Sequence, residues 1–212
     1  MIKPNISFKP YWRINSYLTG SQYEKKETAE DNNEKKDIEG LVYIQMRLPV
    51  DKITKEFEEN IKNSAKFKNL NVKIREASEN DLTVIINIYN KAWMTSNTPF
   101  SPLSFESIKN LYNFPDTTIL IAKIYGIDAG FLILDFEGQK QEIGFITALG
   151  ILPRFQRKGI GSVLGVASWD YFKNKEIKEL RTEVYINNHK SKKFLKFIGF
   201  EEFGRECYFK ED

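Results

Sequence analysis

Residues 150–162 read Gly-Ile-Leu-Pro-Arg-Phe-Gln-Arg-Lys-Gly-Ile-Gly-Ser, and their order decides the fold. An apolar run from Ile143 to Leu152 stops at Pro153, a basic turn punctuated by Gly159 and Gly161 follows, and an apolar helical period then begins. A strand that ends in such a turn at a helix start leaves several main-chain N–H groups unpaired and aimed at one place. The helix dipole adds partial positive charge there, which suits a pyrophosphate. Gly159 and Gly161 let a ligand approach the backbone closely, and Arg157 and Lys158 add full charges. The same residues also fit a plain strand–turn–helix corner with solvated basic side chains.

Composition sets the outer limits. With 212 residues the chain holds one domain plus an appendage, or two small domains, and it can bury one substantial core. Hydrophobic residues make up 41% and charged residues 29%, the ordinary balance of a globular protein. The 16 Phe and 10 Tyr promise an aromatic core and pocket. A net charge of +3 is too small to argue for a nucleic-acid partner. Cys207 is the single cysteine, so no intrachain disulfide forms, and one histidine leaves no metal cluster to build. The start, Met-Ile-Lys-Pro-Asn-Ile-Ser, lacks the apolar core of a signal peptide. The longest apolar region, Ile119 to Leu134, is broken by Lys123 and Asp128 and is too short for a bilayer. These features read as a cytoplasmic protein with no membrane partner.

The first seventy residues look separate from the rest. Trp12, Ile14 and Leu18, and again Val42, Ile44, Met46 and Leu48, alternate with polar or amphipathic neighbours, which fits two half-buried strands of a hairpin. Between them, Glu24 to Asp37 has almost nothing to bury and reads as a mobile loop. Ile53, Phe57, Ile61 and Ala65 share one face of a helix over 51–67, with Asp51 as its cap. A hairpin and one helix hold too little core to stand alone. They must dock on the remaining chain, or on a second copy in a homodimer.

From Val72 the pattern predicts, in order, a strand, a helix opened by the Ser78-x-x-Asp81 capping box, and a Pro/Ser loop over 95–104. A helix over 105–112 and two strands turning at Tyr125-Gly126 come next. The strand over 141–152, a helix over 159–172, a strand over 179–186, a helix over 190–198 and a last strand or hairpin complete the chain.

Gln156-Arg157-Lys158-Gly159-Ile160-Gly161, with Ile151 and Pro153 upstream, resembles the Gln/Arg-x-x-Gly-x-Gly/Ala signature of GNAT-type N-acetyltransferases. Downstream, Asn188-x-x-Ser191, Phe194, Leu195 and Gly199-Phe200 resemble the Asn-x-x-Ala…Tyr…Gly-Phe segment of the same superfamily. The resemblance implies an α/β fold: a mixed, twisted, splayed sheet flanked by helices over 71–212, with residues 1–70 as an N-terminal hairpin and helix extension. It implies acetyl-coenzyme A as cosubstrate, with its pyrophosphate held along Gln156, Arg157, Lys158, Gly159, Ile160, Gly161 and Ser162. Leu149, Gly150 and Ile151 would pair their backbone with the pantetheine arm, and the gap beside the strand over 179–186 would receive the thioester. Asn188 would reach the cofactor, although it fits an ordinary helix cap as well. Lys192 and Lys193 fit either a contact to the 3′-phosphate or a solvated face.

Acyl transfer to an amine requires that the amine lose a proton, that the oxyanion be stabilised and that the leaving thiolate be accommodated. Glu183, within Leu180-Arg181-Thr182-Glu183-Val184, resembles the glutamate of the Leu-x-x-Glu-Val…Asn pattern in the branch that acetylates protein N-termini. There it can act as base, and burial would raise its pKa toward the useful range. A structural carboxylate paired with Arg181 or a lysine is the alternative. Glu142 should face away from the positions that carry catalytic groups in relatives, which map to Phe145 and Thr147. The family's tyrosine, seven residues after the asparagine, is Leu195 here and cannot protonate a thiolate. Tyr185 and Tyr208 are substitutes that fit equally as core aromatics. Trp93, Met94, Phe100, Phe105 and Tyr112 supply an aromatic wall for the acceptor or simply a packed helix face. The expected activity is N-acetylation of a primary amine by direct attack in a ternary complex. The rival expectation is a non-catalytic acyl-coenzyme A sensor with a degenerate site.

Overall fold

The computed structural model describes residues 23–26, 40–63 and 71–210, and eight strands within them form one mixed sheet. They are β1 (Tyr23–Lys26), β2 (Gly40–Pro49), β3 (Val72–Glu76), β4 (Thr118–Ile124), β5 (Ile127–Glu137), β6 (Ile143–Ile151), β7 (Glu179–Tyr185) and β8 (Glu201–Lys210). Their order across the sheet is β1-β8-β2-β7-β6-β5-β4-β3. The helices are α1 (Lys55–Asn63), α2 (Leu82–Met94), α3 (Phe105–Tyr112), α4 (Ile160–Phe172) and α5 (His189–Phe197). Only β6 and β7 run parallel, because α4 carries the chain back between them; the other neighbours are antiparallel.

Local chemistry explains most element ends. Tyr125 and Gly126 both take positive φ, 51° and 78°, the mirrored turn that matches strand twist in a two-residue hairpin. Ahead of α2, the Asp81 carboxylate accepts from the Ser78 main-chain N–H at 2.7 Å and from both guanidinium nitrogens of Arg75, each at 2.7 Å. The Ser104 hydroxyl accepts the Ser107 N–H at the start of α3. β5 is buried on both faces from Ala129 to Asp135, since helices pack on each side of it.

The strand expected over 42–48 is present as β2, but its neighbours are β7 on one side and β8 on the other. Both hydrogen-bonding edges are therefore taken within the sheet, and residues 12–18, expected to be its hairpin partner, lie outside the described residues. Ile44, Met46 and Leu48 enter the same core as β6 and α4. The charged stretch expected as a loop from Glu24 begins inside β1, where main-chain pairing with β8 needs no apolar side chain. Asp51 does not cap the following helix: Val50–Lys52 form a separate 3₁₀ turn, and the Thr54 hydroxyl accepts the Phe57 N–H at 3.1 Å instead. The face of α1 formed by Phe57 and Ile61 packs inward, and the Trp169 indole of α4 donates to Glu58 at 2.6 Å.

Candidate functional site

Pairing between β6 and β7 runs from Ile143↔Glu179 to Ile146↔Thr182 and then stops. The Thr182 hydroxyl closes that last rung by donating to the Ile146 carbonyl at 2.8 Å. One residue further, β6 carries a bulge: Leu134 faces Ile146 and Ile133 faces Ala148, which leaves Thr147 without an opposite residue. A bulge increases local twist and re-aims a side chain, so the two strands part where Thr147 leaves the ladder. The opening is a groove continuous with solvent, whose walls include Thr147, Leu149, Glu183, Asn188, Leu195 and Trp93. The Thr147 hydroxyl oxygen is buried and has no hydrogen-bond partner among the described residues. In folded proteins such orphans are rare and call for an explanation.

The basic turn lies at the outer end of β6. Gly159 takes φ of 91° and Arg157 a φ of 59°, so the chain reverses into α4 through two left-handed residues. The main-chain N–H groups from Arg157 to Ser162 find no hydrogen-bond partner among the described residues, whereas Val163 N–H returns to the Gly159 carbonyl at 3.2 Å. Arg157 and Lys158 are exposed and form no ion pair among the described residues. Gln156 spends its side-chain amide on the Ile151 carbonyl at 3.0 Å, tying the turn to the strand end. A Cβ at Gly161 would stand 3.2 Å from the Phe194 ring of α5, so the glycine lets the two helices meet.

Leu149, Gly150 and Ile151 pair with β5 on one side and lie beyond the last rung with β7 on the other, and Leu149 lines the groove. The glycine at 150 answers to packing as well, since a Cβ there would come within 2.4 Å of the Phe131 ring. Ser162 and Ile160 are buried in the first turn of α4.

Glu183 borders the groove from β7, and its carboxylate is held from two directions. The buried Gln45 side chain of β2, its direct register partner, donates to Oε1. The Tyr208 hydroxyl of β8 lies 3.1 Å and 3.0 Å from the two carboxylate oxygens, and 3.0 Å from Glu206 Oε2. Burial, and then the neighbouring Glu183 and Glu206 charges, push the Tyr208 phenol far above its ordinary pKa, so it stays protonated. Tyr43 packs edge-on against both Tyr185 and Tyr208. Glu142 lies before β6 beside Gly138, half-buried and outside the groove lining. Leu195 is buried in the groove wall, with no proton to donate. Cys207 is buried, which raises its thiol pKa, and His189 is an exposed residue opening α5.

Asn188 caps α5, its Oδ1 accepting the Ser191 N–H at 3.1 Å, while its Nδ2 donates to the Thr98 hydroxyl at 2.8 Å. One side chain thus joins the helix start to the 95–104 loop. Tyr89 and Trp93 stack with ring centroids 4.3 Å apart and line the groove. Met94 and Phe105 do not join this wall: at 69% and 50% exposure they point to solvent, because each lies on the outer face of its helix. Gln45, Tyr43, Tyr89 and Thr98 were not singled out from the sequence. The available signal was the second face of the 42–48 alternation, where Tyr43 and Gln45 are too apolar or too weakly charged for a plain solvent face.

A mixed sheet that parts beside a left-handed, amide-rich turn defines a class: α/β proteins that hold a nucleotide-bearing cofactor at a helix start. The sequence profile of the Acetyltransferase (GNAT) family matches residues 83–200, more than half of the chain, and the protein belongs to that family. Among solved structures, a functionally unknown conserved protein from Staphylococcus epidermidis is similar at 17% identity and a TM-score of 0.57, over 83% of this chain and 68% of that one. The PaiA N-acetyltransferase of Thermoplasma acidophilum, solved in complex with coenzyme A, is 22% identical with a TM-score of 0.56, over 67% of this chain and 100% of its own. The aminoglycoside 6'-N-acetyltransferase AAC(6')-Ih of Acinetobacter baumannii is 18% identical with a TM-score of 0.55, over 66% and 98%. At these identities the likeness is one of fold. No curated protein matches the sequence. Among the described residues no helix is long and apolar enough to cross a membrane.

Proposed function

We propose that the protein transfers an acetyl group from acetyl-coenzyme A to a primary amine, by direct attack within a ternary complex in the cytoplasm. The observation that carries this reading is the adjacency of two features: a run of unpaired main-chain amides at Arg157–Ser162, and a gap in the sheet walled by Thr147 and Glu183. The amides, the α4 dipole and the free charges of Arg157 and Lys158 fit a pyrophosphate. The β6 edge at Leu149, Gly150 and Ile151 fits the pantetheine arm, and Asn188 holds the far wall of the same groove.

Glu183 is the base in this reading. Its carboxylate takes a proton from the acceptor ammonium, which frees the nitrogen lone pair for attack on the acetyl carbonyl carbon. The Thr147 hydroxyl, with no partner among the described residues, donates to the acetyl oxygen in this reading as negative charge gathers there. Holding both reactants in one groove contributes much of the acceleration. Tyr89, Trp93, Tyr43 and Tyr185 give the acceptor side an aromatic character.

The test has two readings in sequence. Calorimetry with acetyl-coenzyme A should show binding. Release of free thiol should then follow with at least one amine from a panel of tyramine, spermidine, neamine and a tetrapeptide with a free N-terminus. Glu183→Gln should abolish most turnover near neutral pH while leaving cofactor affinity in place. Binding without turnover would favour a second reading, a non-catalytic acyl-coenzyme A sensor, which Leu195 in place of the family tyrosine supports. Absence of binding overturns both.

A further inference from the structure

We propose that Tyr208 and Glu206 form an exit path that carries the acceptor's proton from Glu183 to solvent. The proposal rests on Glu183 acting as the base of amine acetylation. Its starting point is an arrangement that base positioning alone does not need. The Tyr208 hydroxyl stands between two carboxylates, 3.0 and 3.1 Å from the oxygens of Glu183 and 3.0 Å from Glu206 Oε2. A phenol owns one hydrogen, so it donates to one carboxylate at a time and exchanges between two equivalent arrangements. Tyr208 is buried at 4% exposure, Glu183 borders the groove, and Glu206 is half-buried two residues along β8. The three groups therefore share one face of the sheet and run sideways from the groove at β7 to β8.

Proton balance gives the path a purpose. An ammonium acceptor and acetyl-coenzyme A become an amide, a free thiol and one proton. Of the two protons that the nitrogen loses, one ends on the coenzyme A thiol and the other must reach water. Glu183 has to return to its carboxylate form before each new cycle.

Through Tyr208 the transfer needs no ionised phenol. The protonated Glu183 gives its hydrogen to the phenol oxygen as the phenol hydrogen moves to Glu206, and Glu206 then releases that proton to solvent. Rotation of the Tyr208 hydroxyl restores the starting arrangement. Because burial holds the phenol proton tightly, this paired movement is favoured over stepwise loss. Gln45 keeps the Glu183 carboxylate fixed while Tyr208 turns.

Glu206→Gln tests the path without touching Glu183, since the amide oxygen still accepts from Tyr208 but cannot take its proton. The probe is the fastest amine of the tyramine, spermidine, neamine and tetrapeptide panel. The expected result is a fall in kcat on the order of tenfold, with KM for acetyl-coenzyme A and for the amine unchanged, and an enlarged solvent deuterium effect on kcat. Added imidazole buffer should raise the rate of the variant and leave the native enzyme unaffected. Tyr208→Phe should show the same lowered kcat and enlarged solvent deuterium effect. If Glu206→Gln keeps the native kcat and isotope effect, the path is overturned. A lowered kcat with no buffer response reports a structural role and overturns it equally. A native enzyme that binds acetyl-coenzyme A but acetylates none of the four amines overturns the underlying acetyltransferase reading, and the exit path falls with it.

Discussion

Gln45 donates its side-chain amide to the carboxylate of Glu183, and the two residues are also direct register partners across β2 and β7. A buried amide on a carboxylate fixes the rotamer of the acid. Gln45→Met keeps length and removes the donor. A hydrogen bond to a charged group contributes about 1.5–3 kcal/mol, so kcat should fall by roughly tenfold or more. KM for acetyl-coenzyme A should stay put in steady-state assays, because Gln45 belongs to β2 and is no part of the basic turn or of the groove lining. A variant with native kcat would show that Glu183 needs no support from β2.

Asn188 serves two elements with two different atoms, Oδ1 toward Ser191 and Nδ2 toward Thr98. Asn188→Asp retains the cap acceptor and loses the donor to the loop, whereas Asn188→Ala loses both. Loss of the cap costs about 1 kcal/mol, which in a domain of this size lowers Tm by about 2–4 °C. The Asp variant should therefore melt close to the native protein, yet release the 95–104 loop, seen as faster amide hydrogen exchange there. Equal melting of the Ala and Asp variants would remove the cap from the account.

The Arg75–Asp81 pair predicts acid behaviour. The Arg75 guanidinium, then hydrogen bonds from Ser78, hold the Asp81 carboxyl far below the ordinary aspartate range. A depressed folded pKa means that the unfolded chain binds this proton first as pH falls. The pair's contribution is complete above about pH 4, the ordinary aspartate value, and is lost progressively below it. Urea titrations at pH 7 and near pH 3 should show a loss of stability on acidification that shrinks in Asp81→Asn. An unchanged acid dependence in the variant would assign it to other carboxylates.

Residues 143–172 were legible because their signals are local. Pro153 ends a strand, the left-handed glycine at 159 starts a helix, and both effects act within a few residues. Asn188 was legible for the same reason, three residues from the N–H that it caps. β2 was not. Its alternation announced a strand, but its partners lie 130 or more residues away in β7 and β8, and nothing in 42–48 specifies them. That long-range insertion places Gln45 and Tyr43 beside Glu183, so the carboxylate was readable and its supports were not. The exposed Met94 and Phe105 show the converse: an aromatic or sulfur-bearing side chain at helical spacing does not say which face the sheet will cover.

Thr147 combines a cost in stability with a place in the groove. A buried hydroxyl without a partner costs about 1–3 kcal/mol, and the bulge that isolates it occurs where β6 and β7 part. Thr147→Val keeps the branched shape and removes the orphan oxygen. Melting should therefore rise by about 2–4 °C for each kcal/mol recovered. If the hydroxyl meets the acetyl oxygen as charge develops, the same variant should lose at least tenfold in kcat, equal to about 1.4 kcal/mol of barrier. KM for acetyl-coenzyme A should hardly move, and Thr147→Ser should recover much of the rate. Stability and activity then change in opposite directions on one substitution. A more stable variant with native turnover would leave the hydroxyl without a chemical role, and a less stable one would mean that it has a partner inside the fold.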